Sequence, residues 1–331
     1  IYCTRKDTVI YGARRRPANS TNGVGSMTKV TDMTGAVSSA IEDGQSVYLG
    51  GFTHLIPFAA GHEIIRQGYS DLTLARATPD LIYDQMIAAG CASSVTFSWA
   101  GNPGVGSLRA FRRAVEDGVP TELAIDEYSH FGLVSRLAAG AQDLPFLPLR
   151  TFVGSDYPEH NDNIQFVENP FGDTPGEIPV VPPLTPDVAV VRAQRADTEG
   201  SAQLWGIVGE MIEAAFAADT VILSVEELVD TEVIRSDPNR TLIPQTVVDY
   251  VVEEPYGSHP SYAQGYYDRD NEAYLAWDRQ TETHESTEEW LEEWVYGVDD
   301  RTEYLEKLEV EQFLDLQPQT NYGTPIDMGE Y

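Results

Sequence analysis

Short apolar runs alternate with amphipathic segments along most of this chain. The runs have the length and composition of buried strands, and they predict strands over 46–49, 71–75, 95–99 and 123–125. The segments between them have helical spacing, and they predict helices over 57–67, 81–89, 108–115 and 130–139. Gly68 stands where the first of these helices would end, and Ser107 stands where it can cap the third.

The alternation continues in the second half after one long interruption. Residues 154–186 are rich in Pro, Gly and Asn and predict a long loop. An unbroken apolar run over 188–191 predicts a strand covered on both faces, followed by a helix over 207–217 and a strand over 221–225. Strands that alternate with helices predict an α/β fold with a mostly parallel open sheet flanked by helices.

An apolar stripe runs along an otherwise acidic segment near the C-terminus. It consists of Trp290, Leu291, Trp294 and Val295. This helical spacing predicts a C-terminal helical extension whose apolar face docks on the α/β body rather than binding a cofactor.

The composition bounds the class of protein. The chain has 331 residues, of which 42% are hydrophobic, so it can bury a core and is not globally disordered. Its two cysteines, Cys3 and Cys91, exclude a disulfide framework. No apolar run approaches the ~18 residues that a membrane span requires. We expect a soluble, cytoplasmic protein that does not insert in a membrane.

The charge is strongly acidic and poor in lysine. There are 53 Asp and Glu against 21 Lys and Arg, a net charge of −32, and only three of the basic residues are lysines. The acids are dispersed rather than gathered in one block, which is typical of a halophile's surface. A phosphate backbone would be repelled, so nucleic-acid binding is disfavoured.

Both chain ends differ in composition from the rest. Residues 1–26 carry five basic side chains against one acidic, and Met27 has the character of a natural start. We therefore expect 1–26 to be a non-native or disordered extension, 27–309 to be the α/β domain, and 310–331 to be an acidic tail.

Gly50-Gly51-Phe52 follows the first predicted strand and is the first candidate site. Two glycines allow a close approach of the backbone to a ligand, and a helix N-terminus presents free N–H groups to an anion. Such a junction is suited to a phosphate or to the oxyanion of a thioester. The alternative is a tight turn that merely requires positive φ.

Two further junctions carry candidate chemistry. The loop 101–107 contains Asn102, Gly104, Gly106 and Ser107, but its glycines do not match the dinucleotide pattern and no Walker lysine follows. Glu127 ends a predicted strand, where it is either an active-site carboxylate or only a helix-start residue. The histidines and cysteines lack metal-ligand spacing, so we expect no metal.

Arg109, Arg112 and Arg113 form a local basic cluster in an otherwise acidic chain. They could bind an anionic ligand, although pairing with neighbouring acids is the commoner outcome.

Read together, these strings resemble the A (alpha) subunit of class I CoA-transferases of the glutaconate CoA-transferase type. With the acidic composition, we expect the source to be a halophilic archaeon. Tyr48 stands where the family signature G-x-G-G-F has its first glycine. The resemblance covers 27–308 and is carried, in the same order, by Leu49-Gly50-Gly51-Phe52 and by 101–107, 145–148, 194–197, 235–241, 255–261 and 265–271.

The resemblance implies a two-subunit enzyme, an α2β2 heterotetramer, that moves CoA between an acyl-CoA and a carboxylic acid. It implies no permanently bound cofactor, with the CoA thioester as substrate. The nucleophilic glutamate of the family lies on the B (beta) subunit in a Glu-Asn-Gly context, whereas here Glu168-Asn169 is followed by Pro170. The alpha subunit would contribute the Gly50–Phe52 wall and, through 102–107, part of the CoA or acyl site.

Two alternatives remain open at this point. A sister group of steroid ring-opening hydrolases resembles this chain and uses a glutamate of its alpha subunit in an Asp-Glu context, to which Asp126-Glu127 corresponds. By that analogy Glu127 is the catalytic candidate within this chain. The second alternative is a non-catalytic protein that binds acyl-CoA or a sugar phosphate.

The acidic surface leads to a prediction about salt. We expect the melting temperature to rise between millimolar and molar salt, because ions screen the repulsion among carboxylates. Thermal unfolding followed by circular dichroism measures it. An unchanged melting temperature would contradict the halophilic interpretation.

Overall fold

The structure is a computed structural model that describes residues 29–172 and 176–318. The predicted extension 1–26 and residues 319–331 of the predicted tail lie outside the described residues. The strands, in chain order, are β1 Ser46–Leu49, β2 Leu72–Ala75, β3 Ala92–Phe97, β4 Ala124–Glu127, β5 Leu147–Pro148, β6 Gln165–Glu168, β7 Glu177–Val181, β8 Val188–Ala196, β9 Ala202–Gln203, β10 Thr220–Leu228, β11 Thr241–Ile243 and β12 Tyr250–Glu253.

The helices surround these strands. They are α1 Met33–Ala40, α2 Phe58–Arg66, α3 Leu81–Ala88, α4 Arg109–Glu116, α5 His130–Ala141, α6 Tyr157–His160, α7 Met211–Ala217, α8 Thr231–Ser236, α9 Asn271–Gln280, α10 His284–Leu291, α11 Arg301–Glu306 and α12 Val310–Asp315. Short 3₁₀ turns flank β11, and a π-helical turn, Glu292–Tyr296, follows α10.

Nine of the strands in the described residues form one central sheet, and seven of these nine are parallel. Their order is β12-β10-β8-β1-β2-β3-β4, while β9 and β11 pair antiparallel beyond the end of β8. In the middle of the sheet, Val47 of β1 lies between Leu74 and Val188. Apolar side chains on both faces of these strands explain why they are unbroken apolar runs rather than alternating ones. The predicted α/β fold with a mostly parallel open sheet is confirmed.

The sheet is covered by a helical layer on each face. On one face, α1 to α4 and the C-terminal helices pack a core that includes Phe58, Leu81 and Trp277. On the other face, α5 and α7 pack a second core that includes Leu133 and Met211. Each layer buries an apolar helix face against the sheet, which is the main source of stability in such a fold.

The C-terminal stripe docks on the body as predicted. Leu291 and Val295 are buried in the first core, and the ring of Trp290 meets that of Trp277 edge to face at 4.8 Å. The stripe continues through the π-helical turn to Trp294, whose ring stacks near that of Trp290 at 6.1 Å.

The segment predicted as a long loop, 154–186, contains regular structure. It holds α6 and the strands β6 and β7, which join β5 in a small antiparallel sheet. The sequence concealed β6 because this strand is short and mostly exposed, with no buried alternation to reveal it. The predicted tail likewise begins with a helix, since 310–315 form α12 and Leu316 behind it is buried.

No helix within the described ranges is both long enough and apolar enough to cross a membrane.

Asp84 ties three helices together inside the first core. It is fully buried on α3, where its carboxylate accepts the backbone N–H of Phe111 at 2.7 Å and the indole N–H of Trp277 at 2.8 Å. Burial raises the pKa of Asp84 to about 6, although both donors favour the ionised form. Helices α4 and α9 are therefore fixed to α3 by one carboxylate.

This raised pKa gives a pH dependence that can be measured. The folded state holds the Asp84 proton more tightly than the unfolded state, so stability falls as pH rises through the window from about 4 to about 6, by roughly 3 kcal/mol. We expect Asp84→Asn to remove that slope from urea unfolding measured on either side of the window. Asp117→Asn, at the exposed end of α4, is the matched control. Equal slopes in the wild type and the Asp84 variant would contradict the assignment.

Candidate active site

The predicted site residues lie at one edge of the central sheet. Gly50 follows β1, the loop 101–107 follows β3, and Glu127 ends β4. Because these strands are parallel, their carboxyl ends share an edge, and Phe97 at the end of β3 is the register partner of Glu127. A ligand at this edge could contact all three segments.

The Gly50-Gly51-Phe52 turn has a conformation that requires glycine. The Gly50 N–H donates to Val190 O at 2.8 Å, and its carbonyl accepts from Arg76 Nη1 at 3.2 Å. Gly51 has φ +96°, and a Cβ there would lie 2.7 Å from His54 O. The N–H groups of Gly51 and Phe52 have no partner among the described residues. Two consecutive free N–H groups can bind an anionic oxygen.

The turn continues into a strained segment. Thr53 and Leu55 both have positive φ, +57° and +54°, which is rare for residues with branched or bulky side chains. Ser261 Oγ donates to Thr53 O at 2.8 Å, and Leu55 N–H donates to Tyr262 O at 3.0 Å. The C-terminal half of the chain therefore holds this conformation in place.

His54 is the central clamp of the segment. Its Nδ1 lies 2.8 Å from Ile207 O, and its Nε2 accepts the N–H of Gln264 at 3.1 Å. Burial lowers the pKa of His54 to about 4, so the ring is neutral at pH 7 and carries its proton on Nδ1. Sequence reasoning did not identify this residue, because its partners lie more than 150 positions away.

The helix N-terminus after this turn is not an anion site. Helix α2 begins at Phe58, eight residues beyond Gly50, and its first turn is buried. The N–H of Ala59 already donates to Gly257 O at 3.0 Å. The part of the prediction that assigned free helical N–H groups to a ligand is wrong, because another loop packs there.

A buried cluster of charged side chains holds the Gly50-Gly51-Phe52 turn in place. Arg76 is fully buried, pairs with Asp80 at 2.6 Å and donates to Thr78 O as well as to Gly50 O. Glu210 accepts the N–H of Ala77 at 2.9 Å, and burial raises the pKa of this carboxyl. The only sequence signal for Arg76 was an arginine in an apolar run with an acid four residues later.

The loop 101–107 is anchored by α9. Gly106 has φ +98°, and a Cβ there would lie 2.6 Å from Asp278 Cβ. Asp278 accepts the N–H of Ser107 at 3.3 Å. Ser107 does not cap α4, which begins at Arg109 with Leu108 as an N-cap that makes no side-chain bond. The predicted cap is wrong because α4 begins at Arg109, which places Leu108 rather than Ser107 at the N-cap position.

The three arginines of the basic cluster on α4 have different partners. Arg109 pairs with Asp278 at 2.9 Å, and Arg113 donates to Thr287 Oγ1 at 2.8 Å, so both join α4 to the C-terminal helices. Arg112 is exposed and makes only a surface pair with Glu116 at 3.3 Å. Pairing with neighbouring acids, the commoner outcome, holds for Arg109 and Arg112.

Glu127 lies in an open cleft of about 690 Å³. Its carboxylate accepts from Tyr157 Oη at 3.1 Å and is otherwise exposed. The neighbouring Asp126 is instead held by Arg136 at 3.2 Å and by Asn161 at 2.9 Å. Glu127 is therefore the carboxylate of this pair that a ligand can reach.

No group of three or more His, Cys, Asp or Glu side chains in the described ranges is placed to hold a metal ion.

The chain is similar to known proteins over most of its length. The coenzyme A transferase family model matches residues 30–254, most of the chain. The chain therefore belongs to the coenzyme A transferase family, and within it the chain is a class I alpha subunit, close to those of 3-oxoadipate and glutaconate CoA-transferases. The family predicted from the sequence is confirmed.

Three relatives show where the similarity lies. The A subunit of the 3-oxoadipate CoA-transferase of Pseudomonas knackmussii is 49% identical over 85% of this chain and 99% of its own. The A subunit of the glutaconate CoA-transferase of Acidaminococcus fermentans is 33% identical over 91% of this chain and 98% of its own. The crystal structure of that enzyme superposes with a TM-score of 0.85 at 32% identity, over 91% of this chain and 99% of the crystallised one. The cholesterol ring-cleaving hydrolase IpdA subunit of Rhodococcus jostii is 28% identical over 78% of this chain and 90% of its own.

The requirement for glycine at position 51 can be tested directly. We expect Gly51→Ala to cost about 1–3 kcal/mol of stability and to lower turnover of the assembled enzyme at least ~tenfold, because the new Cβ displaces the turn that carries the free N–H groups. The matched control is Gly44→Ala, whose φ is +80° with nothing within 4 Å. Equal loss of turnover in the Gly51 and Gly44 variants would contradict a role for the free N–H groups, because backbone strain alone would then explain the loss.

Proposed function

We propose that this chain forms one wall of a shared active site that moves CoA from an acyl-CoA to a carboxylic acid, with the beta subunit supplying the nucleophilic glutamate. The free N–H groups of Gly51 and Phe52 carry the proposal, because they suit an oxygen that becomes negative during acyl transfer. The absence of a Glu-Asn-Gly string from this chain supports a nucleophile that comes from the partner.

The reaction follows from what such a site can do. A glutamate carboxylate oxygen of the beta subunit attacks the thioester carbonyl, whose oxygen becomes negative beside Gly51 and Phe52. Collapse expels CoA thiolate and leaves an acyl anhydride. The thiolate then attacks the glutamyl carbonyl, which gives a glutamyl-CoA thioester and releases the first carboxylic acid. The acceptor carboxylate runs the same steps in reverse, so one difficult transfer is divided into easier ones.

The proposal also covers the assembly of the two subunits and the class of acid that they use. An alpha subunit implies a beta subunit, and we propose an α2β2 assembly in the cytoplasm. For the acids, the 49% identity to a 3-oxoadipate CoA-transferase subunit supports a short dicarboxylic acid as one substrate. A panel of monocarboxylic and dicarboxylic acids, assayed with succinyl-CoA and acetyl-CoA as donors, tests whether a short dicarboxylic acid is the preferred acceptor.

A second candidate function is hydrolysis of a cyclic acyl-CoA that uses Glu127. The observation in its favour is the exposed Glu127 carboxylate in a cleft beside Tyr157. The similarity to the Rhodococcus ring-cleaving hydrolase subunit supports it further. A non-catalytic binding protein has no comparable support among these relatives.

One experiment separates the two functions. The co-expressed subunits are incubated with acyl-CoA and borohydride, and transfer and hydrolysis are measured for Glu127→Gln. We expect transfer to stay within about threefold of the wild type and the substrate-dependent inactivation to modify the beta subunit, because the anhydride and thioester form there.

The matched control is Glu168→Gln, an exposed glutamate at the end of β6. Transfer that is lost in the Glu127 variant but kept in the Glu168 variant would overturn the assignment of the nucleophile. The alpha subunit purified alone and found to transfer CoA at full rate would overturn the shared site itself.

A further inference from the structure

Two of the strings that carry the resemblance to CoA-transferases have no part in the steps proposed above. They are 194–197, at the end of β8, and 235–241, which leads into β11. Strand β9 pairs with β8 on one side and with β11 on the other. The fold therefore brings two arginines together around β9, Arg195 from the first string and Arg240 from the second.

Both arginines share one aromatic ring. The Cζ atom of Arg195 lies 5.6 Å from the centre of the Trp205 ring, and the Cζ atom of Arg240 lies 5.1 Å from it. Each contact is favourable by itself, but two like charges beside one ring repel each other. A pair of this kind is stabilised when an anion binds to both guanidinium groups.

Within the protein, the two guanidinium groups use their Nε atoms. Arg195 Nε donates to Gln203 Oε1 at 2.8 Å, and Arg240 Nε lies 3.2 Å from Asp237 Oδ2. Their terminal nitrogens have no hydrogen-bond or ion-pair partner in the part of the chain that the structure describes. These nitrogens are therefore the donors that a ligand can reach, and their planar fork matches the two oxygens of a carboxylate.

The acids beside the arginine pair leave it close to neutral. Glu227 of β10 is the register partner of Arg195, and its carboxylate accepts from Tyr266 Oη at 2.7 Å. Together with Asp237 it balances the two arginines, in a chain whose net charge is −32. An anion is therefore repelled less at this pair than over the rest of the acidic surface.

Trp205 belongs to the loop after β9, and this loop packs directly on the glycine turn. A Cβ at Gly206 would lie 3.0 Å from His54 Cε1, and a Cβ at Gly209 would lie 3.0 Å from Phe52 Cβ. His54 is two residues from Phe52, so no more than about 7 Å of chain separates their Cα atoms. The ring that carries both arginines is therefore joined to the segment whose free N–H groups suit the acyl oxygen.

We propose that Arg195 and Arg240 bind the distal carboxylate of a dicarboxylic acyl group and thereby select dicarboxylic acids as substrates. The reacting carbonyl lies at Gly51 and Phe52, and the chain of the acid extends along the loop after β9 to the Trp205 ring. A monocarboxylic acid of equal length leaves the two cations without this partner, which is the basis of the selection. This inference rests on the proposed function, because it requires the acyl group to lie at the glycine turn.

Glutarate and pentanoate are the probes, because they have the same number of carbons and differ by the distal carboxylate. Their binding to the complex of the co-expressed alpha and beta subunits is measured by calorimetry, and each acid is also assayed as acceptor with acetyl-CoA as donor. We expect the wild type to prefer glutarate at least ~tenfold. Arg240→Met and Arg195→Met should each lower this preference about tenfold, which corresponds to one lost charge-assisted hydrogen bond.

Two further variants complete the design. The matched control is Arg235→Met, because Arg235 belongs to the same string as Arg240, is 70% exposed and pairs with Glu232 on the surface. We expect it to leave the preference for glutarate unchanged. Arg240→Lys keeps the charge but not the planar fork, so it should restore part of the preference. A change in folding would weaken the binding of both acids alike, so the ratio of the two affinities reports on the distal carboxylate alone.

The outcomes separate this inference from the proposed function. Equal binding of the two acids by the wild type, or a preference that the Arg195 and Arg240 variants keep, would overturn the carboxylate site even if the complex transfers CoA. Weaker binding of free CoA by these variants, with the preference for glutarate unchanged, would assign the pair to a phosphate and overturn the site as well. A preference for glutarate that depends on both arginines would support the site even if the complex hydrolyses its thioester instead of transferring CoA.

Discussion

The common direction of seven neighbouring strands is the constraint on which this molecule depends. Because β12, β10, β8 and β1 to β4 are parallel, all their carboxyl ends meet at one edge, where the glycine turn, the loop 101–107 and Glu127 lie. Parallel strands need helical crossovers, and these cover both faces of the sheet. The edge is therefore the part of this sheet where loops can converge on a ligand while the strands behind them remain buried.

The loops at that edge are held in place largely by buried arginines. Arg76 donates to the carbonyls of Gly50 and Thr78, Arg192 to that of Glu254, and Arg301 to those of Tyr256 and His259. A guanidinium has five donors spread over three nitrogens in a fixed plane, so it can bind carbonyls on several sides, whereas a lysine offers three donors from a single nitrogen. Buried acids balance two of these cations, Asp80 beside Arg76 and Glu226 beside Arg192. The chain thus keeps its acidic surface for solvent and uses arginine inside to shape the site.

Under the proposed function, this chain contributes one half of a shared active site. Gly51 and Phe52 offer backbone donors in a strained turn, while Glu127 stands exposed at the end of another strand along the same edge. Donors that stabilise developing charge must be rigid to be effective, and the His54 clamp provides that rigidity by joining three separate segments. A rigid wall of this kind is what the proposed shared site requires of this chain.

The sequence determined the repeated strand–helix units, the parallel sheet and the glycine turn. It did so because strands covered on both faces must be apolar throughout, and because the left-handed conformation of Gly51 excludes other residues. Tertiary structure alone decided which groups clamp that turn, which helix anchors the loop 101–107, and that β6 and β7 pair within 154–186. Those outcomes depend on partners such as Gln264 and Asp278, far along the chain, and no local pattern encodes contacts over such separations.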